Sequence, residues 1–148
     1  MPKCETTQFG PLEYDESAVV HFPSGLPAFE DETRFLLIEQ TETAPVVFLQ
    51  SLSTPRLLFL AVPASVVDAG FQLELLPDER ARLELGAEGE IVNGRDYVTL
   101  AILTVREGGP ATANLLAPVV IAARSRRAMQ IIQAESGYSV EQPLAGAC

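Results

Sequence analysis

The sequence predicts an all-β, mainly antiparallel protein: a small β-barrel-like domain with one short α-helix. Three observations predict it. Apolar or alternating runs of strand length follow one another along the 148 residues. Prolines and glycines separate those runs, and only one stretch carries both a helix start and a helix stop. The length fits one domain, and a domain of this size buries enough surface to fold without a disulfide or a metal. Hydrophobic residues make up 47% of the chain and tryptophan is absent, so Leu, Val, Ile and Phe must build the core. Residues 1–148 are read as a single domain, with its core at about 6–135 and a weakly ordered tail at about 136–148.

Near the start, Thr7 and Phe9 on one side and Leu12 and Tyr14 on the other flank Gly10-Pro11, predicting two strand pieces around a turn or bulge. Ser17–Phe22 is the next strand candidate. It runs into Pro23-Ser24-Gly25-Leu26-Pro27, where two prolines and a glycine forbid regular pairing. Arg34–Glu39, Val46–Gln50 and Leu57–Val62 are apolar runs of the kind buried on both faces. Pro45, Pro55 and Pro63 bound them. Phe71, Leu73 and Leu75 alternate with Gln72 and Glu74, predicting a half-exposed strand.

Pro77–Gly86 reads as the helix. Pro77 suits its first position, Asp78 and Glu79 suit the positive end of the dipole, and Gly86 is a natural stop. Arg80 and Glu84, four apart, are placed to pair. Asn93-Gly94 signals a turn. Tyr97–Val105 predicts a central strand, Val119–Ala122 another, and Ala128–Gln133 the last. Nine or ten strands result, and closure into a barrel would dispose of their edges.

The formal charge of −10 argues against non-specific binding to nucleic acid and against docking on an anionic membrane. It suits a basic protein partner, or simple solubility. No apolar run is long enough to span a bilayer. Met1–Glu5 has no signal-like apolar stretch, so the chain is expected in the cytoplasm. Cys4 and Cys148 have no metal-ligand spacing and are read as free thiols.

Catalytic patterns are missing. His21 is the sole histidine, with no nucleophile or orienting acid close in sequence; a ring packed at a strand end is the plainer account. No nucleophile elbow and no phosphate-cradling glycine loop occurs. Glu30-Asp31-Glu32 lacks calcium-loop spacing and reads as a charged turn. Arg124, Arg126 and Arg127 form the basic cluster, read as a solvated turn or an acid-recognising patch. The reading is therefore not an enzyme, with no cofactor and no metal.

Two segments carry more than composition: His21-Phe22-Pro23-Ser24-Gly25-Leu26-Pro27-Ala28-Phe29-Glu30 and Thr112-Ala113-Asn114-Leu115-Leu116-Ala117-Pro118-Val119-Val120-Ile121. Together with Phe48-Leu49-Gln50-Ser51 and Ala101–Val105, they closely resemble the FliW family of bacterial flagellar assembly factors, from about Thr6 to Tyr138. The resemblance implies a cytoplasmic, non-enzymatic, β-barrel-like protein that binds flagellin and the RNA-binding translational repressor CsrA. Flagellin that accumulates occupies the factor and leaves CsrA free to block flagellin translation; export of flagellin releases the factor to sequester CsrA. A protein with this role is expected to be a monomer when free and to touch no nucleic acid or membrane itself.

A repressor that attracts RNA presents a basic surface, and an acidic partner would be steered to it. Glu74, Asp78, Glu79 and Glu84 are the candidate acidic face. Leu26, Phe29 and Asn114 are candidate partner contacts, against structural roles as turn and core residues. Two other classes stay open: a small-molecule-binding barrel or unrecognised enzyme, which needs convergent polar groups in an apolar pocket, and RNA binding through the three arginines, which the net charge disfavours.

Overall fold

The computed structural model describes residues 2–86, 89–105, 108–134 and 136–144. Its strands are β1 (Lys3–Thr6), β2 (Gly10–Glu13), β3 (Val19–His21), β4 (Arg34–Glu39), β5 (Val47–Ser51), β6 (Leu58–Pro63), β7 (Tyr97–Thr104), β8 (Thr112–Ala113), β9 (Val119–Ala122), β10 (Ala128–Gln130) and β11 (Gln142–Pro143). Two short helices, α1 (Ala64–Val67) and α2 (Pro77–Arg82), accompany them. The main path of hydrogen-bonded neighbours runs β10-β9-β7-β6-β5-β4-β3, antiparallel at every step.

Seven strands of alternating direction leave the two end strands pointing the same way. The ends do meet, and they meet in parallel: His21 bridges Arg127, and the His21 N–H donates to Arg126 O at 2.8 Å. This seam closes the path into a ring. Every strand of the ring sends a residue into the shared core: Val20, Phe35, Leu49, Ala61, Leu100, Val119 with Ile121, and Ala128, and Phe22 and Leu26 join them. The mainly antiparallel, all-β fold class read from the sequence is the one observed, with two short helices where one was expected.

The outer face of the ring is covered in patches. The β1–β2 hairpin lays Cys4 and Leu12 over Val19 and Leu36, and Phe9 meets Phe48 edge-on at 5.3 Å. The segment from Phe71 through α2 lays Leu73, Leu75 and Leu83 over Val120, Ala122 and Ile131. α1 packs Ala64 and Val67 on Ala101, Ala113 and Leu115. β9 is thus buried on both faces, as its unbroken apolar run predicts. Gln50, fully buried, donates from Nε2 to Ser51, Pro55 and Leu57 carbonyls at 3.0–3.2 Å, fixing the turn between β5 and β6.

Several expectations change. The first hairpin turns at 7–9, not at Gly10-Pro11, because the Thr6 hydroxyl bonds both Phe9 N–H and Gly10 O, at 2.8 and 2.7 Å. Ser17 and Ala18 lie in a 3-10 turn capped by Asp15, whose Oδ1 accepts Ser17 N–H at 2.9 Å. Residues 71–75 keep their alternating burial but pair with no strand. Side chains replace the ladder there: Tyr138 Oη accepts Gln72 N–H at 3.1 Å and Gln133 Oε1 accepts Glu74 N–H at 3.4 Å. The chain is not loose from 136 to 144: Tyr138 stacks on Phe71 at 4.8 Å, and β11 pairs with β8. Cys148 lies outside the described residues.

Candidate partner-binding surfaces

The first sequence motif folds as a plug with a turn on it. Phe22 is fully buried, and the Gly25 N–H returns to Phe22 O at 2.8 Å. Gly25 has φ +65°, and a Cβ there would stand 2.5 Å from Glu30 Cα and O and from Phe29 O, so the position admits only glycine. Leu26 to Phe29 is a tight turn in which Phe29 N–H donates to Leu26 O at 2.7 Å. Pro27 presets its first corner, and Ala28 takes φ 70° at the second, where glycine is usual. Leu26 points into the core at 5% exposure, whereas Phe29 is 39% exposed. Phe29 meets Phe59 edge-on at 5.5 Å, Phe59 lies 6.0 Å from Phe35, and Phe35 meets Phe22 at 5.2 Å. An aromatic chain therefore runs from the barrel interior to the surface at Phe29.

Asn114, in the second motif, is half-buried and shapes a bend. Its N–H donates to Ile102 O at 2.9 Å, and its Oδ1 accepts Ala117 N–H at 3.0 Å. Leu115, beside it, is core. Leu26 and Asn114, far apart in sequence, line one cleft of about 340 Å³ together with Pro27, Phe59, Gln130 and Val140. Val140, at 50% exposure, adds an apolar rim. Phe59 and Gln130 join this cleft without any sequence signal, because strand order alone brings β6 and β10 beside the turn.

The acidic candidates lie along the covering segment. Glu74 is exposed and in no ion pair among the described residues. Asp78 is exposed and pairs with Arg82 at 3.2 Å. Glu79 is half-buried rather than presented outward, since its Oε1 accepts Leu76 N–H at 2.8 Å and caps α2. Glu84 pairs with Arg127 at 2.5 Å, and Arg80 donates to Gly86 and Gly89 carbonyls at 2.9 and 3.0 Å. Among the described residues Glu84 pairs with Arg127 rather than with Arg80 as expected, because the helix ends early. Leu85 N–H donates to Arg80 O and Glu84 N–H to Ala81 O, with Glu84 at φ 57°. Glu84 therefore fills the left-handed position that closes a helix, which the sequence had assigned to Gly86.

Other groups the sequence singles out have structural employment. Glu32 accepts from Ser51 Oγ at 2.6 Å and from the Thr54 hydroxyl. Those bonds, Ser51 first and then Thr54, hold its carboxyl below the usual range. Arg126 donates to Ala18 O at 3.0 Å, tying the β9–β10 turn to the start of β3. His21 is exposed on the seam. Cys4 is a buried free thiol, pushed up first by burial and then by the Glu5 charge. No group of three or more His, Cys, Asp or Glu side chains among the described residues is placed to hold a metal. No helix among them is long and apolar enough to cross a membrane. Leu37, Val47, Val98 and Pro63 wall a cavity of about 750 Å³ at one mouth of the ring, but side chains from all seven strands fill the interior beyond it.

Comparison with known proteins follows the same lines. The family model described as FliW protein matches residues 3–144. A flagellar assembly factor FliW of Syntrophomonas wolfei is 34% identical over 143 residues, covering 96% of this chain and 88% of its own length. One from Geobacillus kaustophilus is also 34% identical over 143 residues, with 96% and 94% covered. A crystal structure of the flagellar assembly factor FliW superposes with a TM-score of 0.83 at 30% identity, over 97% of this chain and 96% of the other. With a family model matched over residues 3–144 and the fold shared over nearly the full length, the chain belongs to the FliW family of flagellar assembly factors.

Proposed function

We propose that this chain binds flagellin and the translational regulator CsrA in the cytoplasm, and couples flagellin synthesis to export by exchanging one for the other. It does so by occupancy, without catalysis, as a monomer when free and without touching RNA itself. The observation that carries the reading is the meeting of the two family motifs at one cleft. Leu26 and Pro27 from one and Asn114 from the other border it, next to exposed Phe29. A partly apolar cleft with an aromatic at its rim suits a protein segment, and the reading gives it to flagellin. The acidic stretch is given to CsrA. Glu74 and Asp78 are its exposed carboxylates on the covering segment, and Glu84 stands beside Arg127.

Pull-downs with purified flagellin and CsrA, separately and in competition, test the exchange. Flagellin is expected to displace CsrA. Glu74→Lys with Asp78→Lys is expected to weaken CsrA binding about tenfold or more at low salt, mainly through the on-rate, and to leave flagellin binding in place. Unchanged CsrA affinity at low salt would remove the acidic face from the reading.

A further inference from the structure

β10 ends the strand path, and only its start is met from the far side. Past the His21–Arg127 bridge, β3 offers β10 nothing more: Phe22 N–H makes one last rung toward β4, to Thr33 O, and the chain folds back as Gly25 N–H returns to Phe22 O. β10 continues without that neighbour. Its pairing register extends beyond Gln130, since Ile131 N–H donates to Pro118 O at 2.9 Å and Gln133 N–H to Leu116 O at 2.8 Å. Ala122 N–H donates to Arg127 O at 2.9 Å and sets the phase. Bonded residues alternate in an antiparallel ladder. Met129, Ile131 and Gln133 therefore face β9, while Gln130 and Ile132 turn their N–H and C=O groups outward. Among the described residues no strand lies on that side.

The edge is unguarded. Ala128-Met129-Gln130-Ile131-Ile132-Gln133 contains neither a charge nor a proline, in a chain that is 20% charged. Ile132 is 69% exposed. Free edges ordinarily carry charge, proline, a bulge or a cover, because unpaired main-chain groups recruit another strand. Here the edge forms one side of a cleft of about 610 Å³ whose other side is the Pro23–Pro27 turn. That space suits one extended segment. The turn stands where the body of a second sheet would have to sit, which disfavours a second copy of the chain.

One end of the cleft is marked by charge. It shares Pro23 and Arg127 with an adjoining depression that also holds His21, Arg34 and one carboxylate, Glu84. His21 is in register with Arg34 across β3–β4 and bridged to Arg127 across the seam. Three basic side chains therefore stand in a row, on a molecule of net charge −10. Arg34 is paired with Glu16 at 2.7 Å and Arg127 with Glu84 at 2.5 Å; His21 is in no ion pair among the described residues.

We propose that the open edge of β10 docks an extended segment of a protein partner, apolar at alternate positions and acidic at the end lying over His21, Arg34 and Arg127. Main-chain bonds to Gln130 and Ile132 supply affinity, Pro27 and Ile132 receive the apolar side chains, and the basic row selects the acidic end. The inference rests on the reading that the chain works by binding proteins, and on neither partner's identity.

The test uses the full chain, labelled with nitrogen-15, and the peptide acetyl-Asp-Val-Thr-Ile-Thr-Val-Asp-amide, acidic at both ends so that either strand direction is served. Saturable binding is expected, with shifts and slowed hydrogen exchange at the Gln130 and Ile132 amides. Replacing both Asp by Lys should weaken it about fivefold or more at low salt. N-methylation at both Thr and N-methylation at the Val and Ile positions should differ, one set abolishing binding and the other not. Ile132→Lys, at an exposed site where folding is not at stake, should weaken binding too. Shifts confined to other surfaces, equal loss from the two methylation sets, or an edge already protected by self-association in the free protein would each overturn the proposal. The edge cleft shares Leu26, Pro27 and Gln130 with the cleft given to flagellin, but the peptide experiment reads the edge whether or not flagellin displaces CsrA, so the two readings fail separately.

Discussion

At Gly25 an added Cβ would lie 2.5 Å from the Glu30 backbone, at a φ of +65°. Gly25→Ala combines a left-handed residue with an overpacked contact and is expected to cost roughly 3 kcal/mol in urea unfolding. Ala28 is the mirror case. It already sits at φ 70°, so Ala28→Gly is expected to be neutral or to stabilise by up to about 1 kcal/mol. Opposite signs three residues apart mark the motif as a backbone device first. Glu32 makes a prediction about acid. The Ser51 and Thr54 hydroxyls hold its carboxyl below the usual range, so its folded pKa lies below its unfolded one. Its contribution is therefore complete above the unfolded value and is lost as pH falls through the folded value. Glu32→Gln is expected to lower stability at neutral pH and to flatten the acid limb of a urea-midpoint profile. An acid limb of unchanged steepness would mean that other carboxylates set it.

Among the elements, α2 stops where Glu84 turns left-handed and not where the nearby glycine stands. Glu84→Gly removes the strained backbone and the ion pair with Arg127, whereas Glu84→Gln removes only the charge. That pair is 43% and 56% exposed and is worth little. Glu84→Gly is therefore expected to be more stable than Glu84→Gln by about 1 kcal/mol, read from thermal midpoints. Elements of this kind also mark what sequence can reveal. Arg34–Glu39 and Val119–Ala122 match their strands residue for residue, because continuous apolar runs and flanking prolines are local signals. The 71–75 segment shows the converse. Its alternation correctly reported a half-buried extended chain, but alternation carries no information about whether a neighbouring strand exists. Tyr138 and Gln133, some sixty residues onward, take the place of one. The 136–144 stretch looked loose because its anchors, Phe71 and β8, are equally remote.

In the molecule as a whole, the odd strand number makes the joint of the ring parallel, and no local pattern announces where it falls. The candidate site was legible only in part for the same reason. The motifs pointed to Leu26, Phe29 and Asn114, but the ring's order placed Phe59 and Gln130 beside two of them in one cleft. Hydrogen exchange is expected to rank the joints. The His21 amide, at the seam, should open locally and exchange ahead of Leu49, which is fully buried in β5 between two paired strands. Equal protection at the two sites would mean that the ring opens only as a unit. The seam has one more consequence, which concerns synthesis. It is backed by the Arg126 bond to Ala18, spanning 108 residues, and a chain emerges from the ribosome amino end first. β3 is therefore made early and waits, one side paired to β4 and the other bare, until translation reaches Arg126 and Arg127. The ring is closed by the last of its seven strands to be made, and a ribosome that pauses before Arg127 leaves an open sheet with two unpaired edges.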